Sequence, residues 1–322
     1  MSDALENEAA RGPARRSPPG CATLVMGVDF GSTTGKAVIL DETGRTVGAA
    51  VSSEGAVSDE GVRLAMAQAL DQATAAQDDV ACAVGTGYGR RMLDVADRTI
   101  TEITCHARGA VEMVPEAKLV IDIGGQDSKV IAIDSQGLVD KFVMNDRCAA
   151  GTGKFLETLA RALNVNLQDM GSLALHAEHT VQITAMCATF AETEVIGLLA
   201  EGADKTDVLG GVHAAVAKRT VGLVARVGKR EPIVMTGGVA RNVAVVEHLQ
   251  QQLDCTLILP ERPQLAGALG AALFALDDLR QRDATRREAD DAVERDLEQA
   301  AAELQNCAPA CAARTAAVLS RR

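Results

Sequence analysis

The 322-residue sequence has no tryptophan and one tyrosine, and aromatics make up only 2% of it. Apolar residues still reach 47%, so a sizeable core can form, built from Ala, Val, Leu and Ile. An excess of basic residues is missing too: the net charge is −12. Affinity for nucleic acid comes mostly from Lys and Arg neutralising phosphates, so no nucleic-acid partner is expected. No apolar run is long enough to span a bilayer, and residues 1–20 lack the apolar stretch of a signal peptide. The expectation is a cytoplasmic protein with no membrane partner. The eight cysteines lie far apart and do not form a secreted disulfide framework. Buried thiols, reactive thiols and metal ligands remain the choices. Two phosphate-binding fingerprints, GxGxxG and GxxxxGK[ST], are also absent, which disfavours a dinucleotide or P-loop fold.

What the chain does contain is a cassette that occurs twice. Residues 28–44 read VDFGSTTGKAVILDETG and residues 121–137 read IDIGGQDSKVIAIDSQG. They align without a gap, pairing Asp29 with Asp122, Gly31 with Gly124, Lys36 with Lys129, Asp41 with Asp134 and Gly44 with Gly137. Each copy reads as strand, Asp-x-Gly turn, strand, turn.

The length fits one large domain or two of ordinary size. Residues 1–21, rich in Pro, Arg, Gly and Glu, read as a disordered tail. Strands are expected at 24–29, 36–41, 46–51, 79–84, 118–123, 232–236 and 256–260. Helices are expected at 60–76, after the glycine turn 85–89, and at 152–164, 188–201, 206–228 and 265–279. The boundaries imply one subdomain over 22–117, to which helix 265–280 returns, and a second over 118–264. Residues 281–322 turn dense in Arg, Glu, Asp and Ala. Val293, Leu297, Ala301 and Leu304 are spaced there as on one helix face, which reads as a helical appendage or a frayed, solvated tail.

A phosphate chain needs backbone N–H groups that it can approach closely, and glycine permits that approach while hydroxyls add donors. Gly31, Ser32, Thr33 and Thr34, with Lys36, supply both in the first cassette. Gly124 and Gly125 supply the turn in the second. Asp29 and Asp122, each just before its turn, are placed to hold a hydrated Mg²⁺, which keeps several waters and takes few carboxylates. Gln126 and Asp127 are candidates for orienting an attacking water. A third glycine element, MTGGVARN at 235–242, ends a strand at a helix start. Gly237, Gly238, Val239 and Asn242 are the candidates there for a nucleotide's base or ribose, near a positive helix terminus. Two duplicated hairpins followed by strand-Gly-Gly-helix resemble the actin, sugar kinase and chaperone superfamily of ATPases over residues 24–280. The resemblance implies an α/β fold with two related subdomains around a central nucleotide cleft.

Cys148 and Cys187 each precede a helix, and helix N-termini stabilise anions and lower thiol pKa values. Spacing alone leaves two readings open, small buried hydrophobe or ligand of an anionic cluster. Cys21, Cys82, Cys105 and Cys255 read as packed thiols. Cys307 and Cys311, in CAPAC, are spaced unlike a zinc pair. His106 reads as packing or hydrogen bonding near the cleft, and His176, His179 and His213 as surface. Of Glu192 and Glu194, one is a candidate to face the nucleotide, and the sequence leaves open which.

NDRCAAGTG at 145–153, MCATFAETEVI around Cys187, GTGYGR at 85–90, DIGGQDSK at 122–129, MTGGVARN and GALGAALFA at 267–275 together resemble one ATPase family. It includes the activators of 2-hydroxyacyl-CoA dehydratases and the ATP-binding subunits of benzoyl-CoA reductase. The resemblance implies ATP/ADP and Mg²⁺ as cofactors. It also implies a homodimer, or a pair of related subunits, that shares one 4Fe-4S cluster through Cys148 and Cys187. Its implied partners are ferredoxin or flavodoxin, which supplies electrons, and an iron–sulfur acyl-CoA dehydratase or aryl-CoA reductase component, which takes them. A cluster-free carbohydrate kinase and a non-catalytic ATP sensor of the same superfamily are the readings that iron content and ATPase activity would separate.

Overall fold

The computed structural model describes residues 23–53, 59–145, 148–184 and 187–319, with side chains described as far as residue 299. The expected tail over 1–21 lies outside them. The chain divides into a compact body ending at Leu276 and a second unit from Asp277 onward.

In the body, β1 (Leu24–Phe30), β2 (Gly35–Leu40) and β3 (Thr46–Ser52) form an antiparallel meander. Helix α1 (Asp59–Gln72) crosses over to β4 (Val80–Thr86), which lies parallel to β1, with the short β5 (Arg98–Thr99) beyond it. Helix α2 (Glu102–Met113) leads to the second meander, β6 (Leu119–Ile123), β7 (Ser128–Ile133) and β8 (Val139–Asn145). Helices α3 (Gly153–Ala162), α4 (Met170–Ala174), α5 (Ala188–Ala200) and α6 (Lys205–Val227) follow. Then come β9 (Ile233–Thr236), parallel to β6, helix α7 (Val243–Leu253), β10 (Leu257–Ile258) and helix α8 (Ala266–Leu319). The sheet orders are β3-β2-β1-β4-β5 and β10-β9-β6-β7-β8. This is the duplicated α/β architecture that the cassettes imply.

The repeated turn chemistry explains the repeated meander. Asp41 Oδ1 accepts from the backbone N–H of Thr43 and of Arg45, both at 3.0 Å, and Gly44 takes a φ of 93°. In the second copy Asp134 Oδ1 accepts from Gln136 at 2.8 Å and Leu138 at 2.9 Å, with Gly137 at a φ of 77°. An aspartate that folds its carboxylate onto the following backbone, and a glycine free to turn left-handed, close each β2–β3-type hairpin.

The shortage of aromatics is met by close backbone contact. Phe30 and Phe155 are the aromatics in the described core; the rest is aliphatic. A Cβ at Gly27 on β1 would lie 2.0 Å from the Ala268 carbonyl oxygen of α8. One at Gly109 on α2 would lie 1.9 Å from the Ala266 carbonyl oxygen. The first turns of α8 therefore rest directly on β1 and α2. Helix α2 also packs Ile103, Ala107 and Ala110 on Val120, Ile131 and Ile133 of the second sheet.

Several expectations change. The residues after Gly89 form a single 3-10 turn, Arg90–Met92, and no α-helix. Asp97 explains it: its carboxylate accepts from Ala83 N at 2.8 Å, and its own N–H donates to Ala83 O, so the segment runs along β4. Strand β10 is two residues long, and Pro260 just beyond it has no N–H to extend a ladder. Helix α4 had no clear sequence signal. Helix α6 is long and apolar enough by composition to cross a membrane, but 61% of its apolar window is buried inside the body, as in a core helix. Helix α8 runs unbroken through residue 280. In the second unit, taken by itself, Val293 and Leu297 are exposed.

Replacing Gly27 by alanine drives a methyl into the α8 backbone and is expected to cost about 3 kcal/mol. Gly222, on α6, has nothing within 4 Å of its Cβ position, and Gly222→Ala is expected to stabilise by roughly 0.5–1 kcal/mol. Urea unfolding of the two variants beside the parent protein checks both signs.

Candidate nucleotide site

The two Asp-x-Gly turns face each other. Asp29 and Lys36 are cross-strand partners in the first hairpin, and Lys36 Nζ lies 3.1 Å from Asp29 Oδ2. Asp122 and Lys129 occupy the same register in the second, with Lys129 Nζ 3.3 Å from Asp122 Oδ2. Gly31 N donates to Thr34 O, and Gly124 N donates to Asp127 O, closing each turn. A Cβ at Gly125 would lie 2.0 Å from Thr33 Oγ1, so the tip of one cassette touches the tip of the other. The structure thus brings together Asp29, Gly31, Ser32, Thr33, Thr34 and Lys36 with Asp122, Gly124, Gly125, Gln126 and Asp127.

The charges in this cleft are buried. Asp29 is 3% exposed and Asp122 1%. Burial opposes ionisation of Asp122, but His106 and Lys129 beside it, with a 2.8 Å hydrogen bond from Thr236 Oγ1, hold its carboxyl far below the usual range. Lys129 also binds Asp127 and lies 3.6 Å from Glu102 Oε1. These carboxylates overcome its desolvation and raise its pKa. Gln126 is exposed at the turn, whereas the Asp127 carboxylate is engaged by Lys129.

The third element closes the cleft. Gly237 has a φ of 85°, and a Cβ there would lie 2.3 Å from Ile123 O and 3.0 Å from Asp122 Oδ1. Gly238 and Val239 lie in a 3-10 turn that ends at Asn242. The Asn242 side chain caps α7: Oδ1 accepts from Ala244 N and Val245 N, and Nδ2 meets His213 Nε2 at 3.1 Å. Its amide therefore supports the loop, and the backbone of Gly237 and Gly238 lies nearest Asp122. His213, expected on the surface, is fully buried because α6 is a core helix. Its Nδ1 donates to Leu209 O at 2.7 Å, which leaves Nε2 to accept from Asn242.

The second turn has a direct link to the cysteine region. Gly153 N donates to Gly124 O at 2.9 Å, and Lys154 N donates to Gly125 O at 2.7 Å. The first N–H groups of α3 are thus satisfied by the carbonyls of the phosphate turn. Asn145 Nδ2 donates to Cys148 O at 2.9 Å, tying the loop before α3 to the end of β8. Cys148 is half-buried, while Cys187 is the exposed N-cap of α5. Backbone N–H groups of Thr189 and Phe190 lower the Cys187 pKa. By contrast, burial pushes Cys105 up to about 12. Cys82 is buried and Cys255 half-buried. Cys21, Cys307 and Cys311 fall outside the described side chains. Among the described residues no three His, Cys, Asp or Glu side chains converge on a metal ion. Glu194 binds Thr184, accepting from its N at 2.9 Å and its Oγ1 at 2.7 Å, and so steadies the segment before Cys187.

Three residues of the site, Lys129, Thr236 and Glu102, are absent from the residues expected there. Lys129 was visible as the partner of Lys36, and Thr236 as the residue before Gly237. Glu102 reaches the cleft from α2 and carries no local signal, whereas His106, expected near the cleft, lies there beside Asp122.

Two facing phosphate turns with buried, lysine-paired aspartates and a Gly-Gly loop define an actin-like ATPase. The BadF/BadG/BcrA/BcrD ATPase family model matches residues 26–275, and the chain belongs to that family. It is 41% identical over 256 residues to the 2-hydroxyisocaproyl-CoA dehydratase activator of Clostridioides difficile, covering 80% of this chain and 96% of that one. It is 44% identical over 252 residues to the activator of lactoyl-CoA dehydratase of Anaerotignum propionicum, covering 78% and 97%. Among solved structures, the activator of 2-hydroxyisocaproyl-CoA dehydratase from Clostridium difficile with bound ADPNP superimposes with a TM-score of 0.78 at 40% identity. The match covers 81% of this chain and 97% of that one.

His213 gives a pH test of the Asn242 support. Burial lowers its pKa to about 4. The unfolded chain takes up the proton first as pH falls, so this contribution to stability is present above pH 6.5 and lost towards pH 4. The expected loss is about 3 kcal/mol across that window. His213→Gln should flatten the slope of unfolding free energy against pH, measured by urea titration at each pH.

Proposed function

We propose that this protein is an ATP-driven electron activator of a (R)-2-hydroxyacyl-CoA dehydratase. The observation that carries the reading is the pair of hydrogen bonds from the start of α3 to Gly124 and Gly125. They couple the turn that would hold a phosphate to the helix that follows Cys148. The full-length match to free activators favours this role over that of a permanent reductase subunit.

In this reading Asp29 and Asp122 hold the hydrated Mg²⁺. Gly31 and Gly124 close the two turns and let the phosphates approach, and the N–H groups of Ser32, Thr33, Thr34 and Gly125 cradle them, with Lys36 beside them. Gly237, Gly238 and Val239 carry the nucleoside, and Asn242 keeps their loop in place. Gln126, the exposed polar side chain at the second turn, orients the attacking water, and Asp127 sets Lys129. ATP bound to both turns favours the closed arrangement over the open one, and loss of the γ-phosphate removes that preference.

The cysteine geometry suits a 4Fe-4S cluster shared between two copies of the chain. Each chain offers two thiols at helix starts. The Cys187 pKa is lowered by backbone N–H groups, and Phe190 next to it is 70% exposed. A four-iron cluster takes four cysteine ligands, which a two-fold dimer supplies. When bound, the cluster supplies a one-electron carrier between ferredoxin or flavodoxin and the dehydratase. The chain's own contribution is to move Cys148 with α3 when the phosphate turn moves.

Anaerobically reconstituted protein is expected to bind about two irons per chain as a dimer. It should support ATP-dependent reduction of a 2-hydroxyacyl-CoA dehydratase. Cys148→Ala/Cys187→Ala protein should hydrolyse ATP but bind no iron. Iron retained by that variant would refute the ligand assignment, and cluster-loaded protein that reduces its partner without ATP would refute the coupling.

A further inference from the structure

The loop that carries Cys148 is held from two sides. On the cleft side, Gly153 N and Lys154 N donate to the carbonyls of Gly124 and Gly125 in the second turn. On the other side, three carbonyls of the loop accept from side chains at the ends of neighbouring strands. Asn145 Nδ2 donates to Cys148 O at 2.9 Å and to Ala150 O at 3.4 Å. Ser128 Oγ donates to Gly151 O at 2.9 Å. Asn145 on β8 and Ser128 on β7 are cross-strand partners.

Asn145 is itself anchored. Its Oδ1 accepts from Arg219 Nη2 of α6 at 3.3 Å. Arg219 also lies against the loop: Gly151 takes a φ of 79°, and a Cβ there would lie 2.9 Å from Arg219 Cδ. Helix α6 gives Arg219 a firm base, because Val212, Val216, Leu223 and Val224 lie in the core beneath the second sheet. Two more ties join this part of the chain to β8. Lys141 Nζ donates to Arg226 O at 2.8 Å, and Arg230 Nη1, just past α6, lies 2.7 Å from Asp140 Oδ2. Going up β8 from Asp140 to Asn145, the partners run back from Arg230 to Arg219. Helix and strand therefore lie antiparallel as one frame, with Asn145 and Arg219 at the end nearest Cys148. When the phosphate turn shifts, Gly153 and Lys154 are bonded to it, while Cys148 O is bonded to the frame. The residues between them, with Gly151 already left-handed, take up the difference.

We propose that Asn145 and Arg219 are positioning residues that pin the backbone of Cys148 to the β8–α6 frame, so that a shift of the phosphate turn swings the thiol about this pin instead of carrying the whole loop along. The inference rests on the proposed coupling of the phosphate turn to α3 and holds with or without a bound cluster.

The test uses the full-length chain without a cluster, where the half-buried Cys148 thiol is open to a small alkylating reagent. Iodoacetamide labelling of Cys148 is followed by peptide mass spectrometry in ADP and in ADPNP, with amide hydrogen exchange over residues 153–160 in the same two states. Arg219→Met keeps the stem against Gly151 and removes the donor to Asn145. Asn145→Asp keeps the acceptor for Arg219 and removes the donor to Cys148 and Ala150. In the parent, the labelling rate is expected to differ about fivefold between the two nucleotides. In each variant the difference should shrink to within about 1.5-fold, while exchange over 153–160 keeps its response and ADPNP affinity stays within about threefold of the parent. A variant whose Cys148 responds as in the parent overturns the pin. So does loss of the response at Cys148 and α3 together, which is the result of a loop that has merely come apart. A parent in which α3 responds and Cys148 does not overturns it as well. Thermal unfolding shows which variants fold, and where one does not, the other decides. A parent in which neither Cys148 nor α3 responds to the nucleotide would instead remove the proposed coupling, and the pin with it.

Discussion

Partnering the buried carboxylates of Asp29 and Asp122 is the constraint on which the rest of the site depends. A buried carboxylate without partners costs several kcal/mol. Each aspartate meets this cost with a lysine directly across its own hairpin, at 3.1 Å and 3.3 Å. That pairing demands one register in each meander, and a slip of one residue would turn every side chain to the opposite face. The same register places Gly31 and Gly124 just past the aspartates, where their N–H groups close the two turns onto Thr34 O and Asp127 O. Charge pairing, strand register and turn closure are therefore one requirement stated three ways.

The two cassettes satisfy that requirement alike and then diverge. Gly35, at the start of β2, lies against Val62 and Gly61 of α1, so the helix behind the first hairpin packs on its strand. In the second copy the helix behind the hairpin is bonded to the turn itself, through Gly124 O and Gly125 O. Helix N-termini have N–H groups to satisfy, and here the phosphate turn satisfies two of them. A displacement of the second turn must carry α3 with it or break both bonds.

The fold was legible because its signals were local. The Asp41 and Asp134 turns, the Asp-Lys pairs and the Gly-Gly loop each lie within one stretch of sequence, and duplication let each copy check the other. What escaped was set by contacts between distant segments. Glu102 belongs to the site because α2 packs against the second sheet, and nothing near residue 102 reveals that. His213 was read as surface because its neighbours on α6 are mixed, while its burial is decided by Leu209 and Asn242. The residues after Gly89 carry helix-compatible side chains, yet Asp97 bonds to Ala83 and brings the segment back along β4 after a single 3-10 turn. Asn242 looked like a nucleotide ligand from its place in MTGGVARN, and its side chain is instead used to start α7.

The scarcity of aromatics finds its counterpart in this mechanical design. Large side chains would have kept α8 away from β1 and α2. Glycine and alanine let the backbones touch at Gly27, Gly109 and Gly270, and contacts that close leave little freedom to slide. The base of the cleft is therefore closely packed, and the turns meet where Gly125 lies against Thr33. In the proposed function a nucleotide would act at those tips, while the lysines hold the aspartates to the strands of their own hairpins. On the proposed function, that division would let the second turn carry α3 through its bonds to Gly124 O and Gly125 O without disturbing the lysine-paired carboxylates.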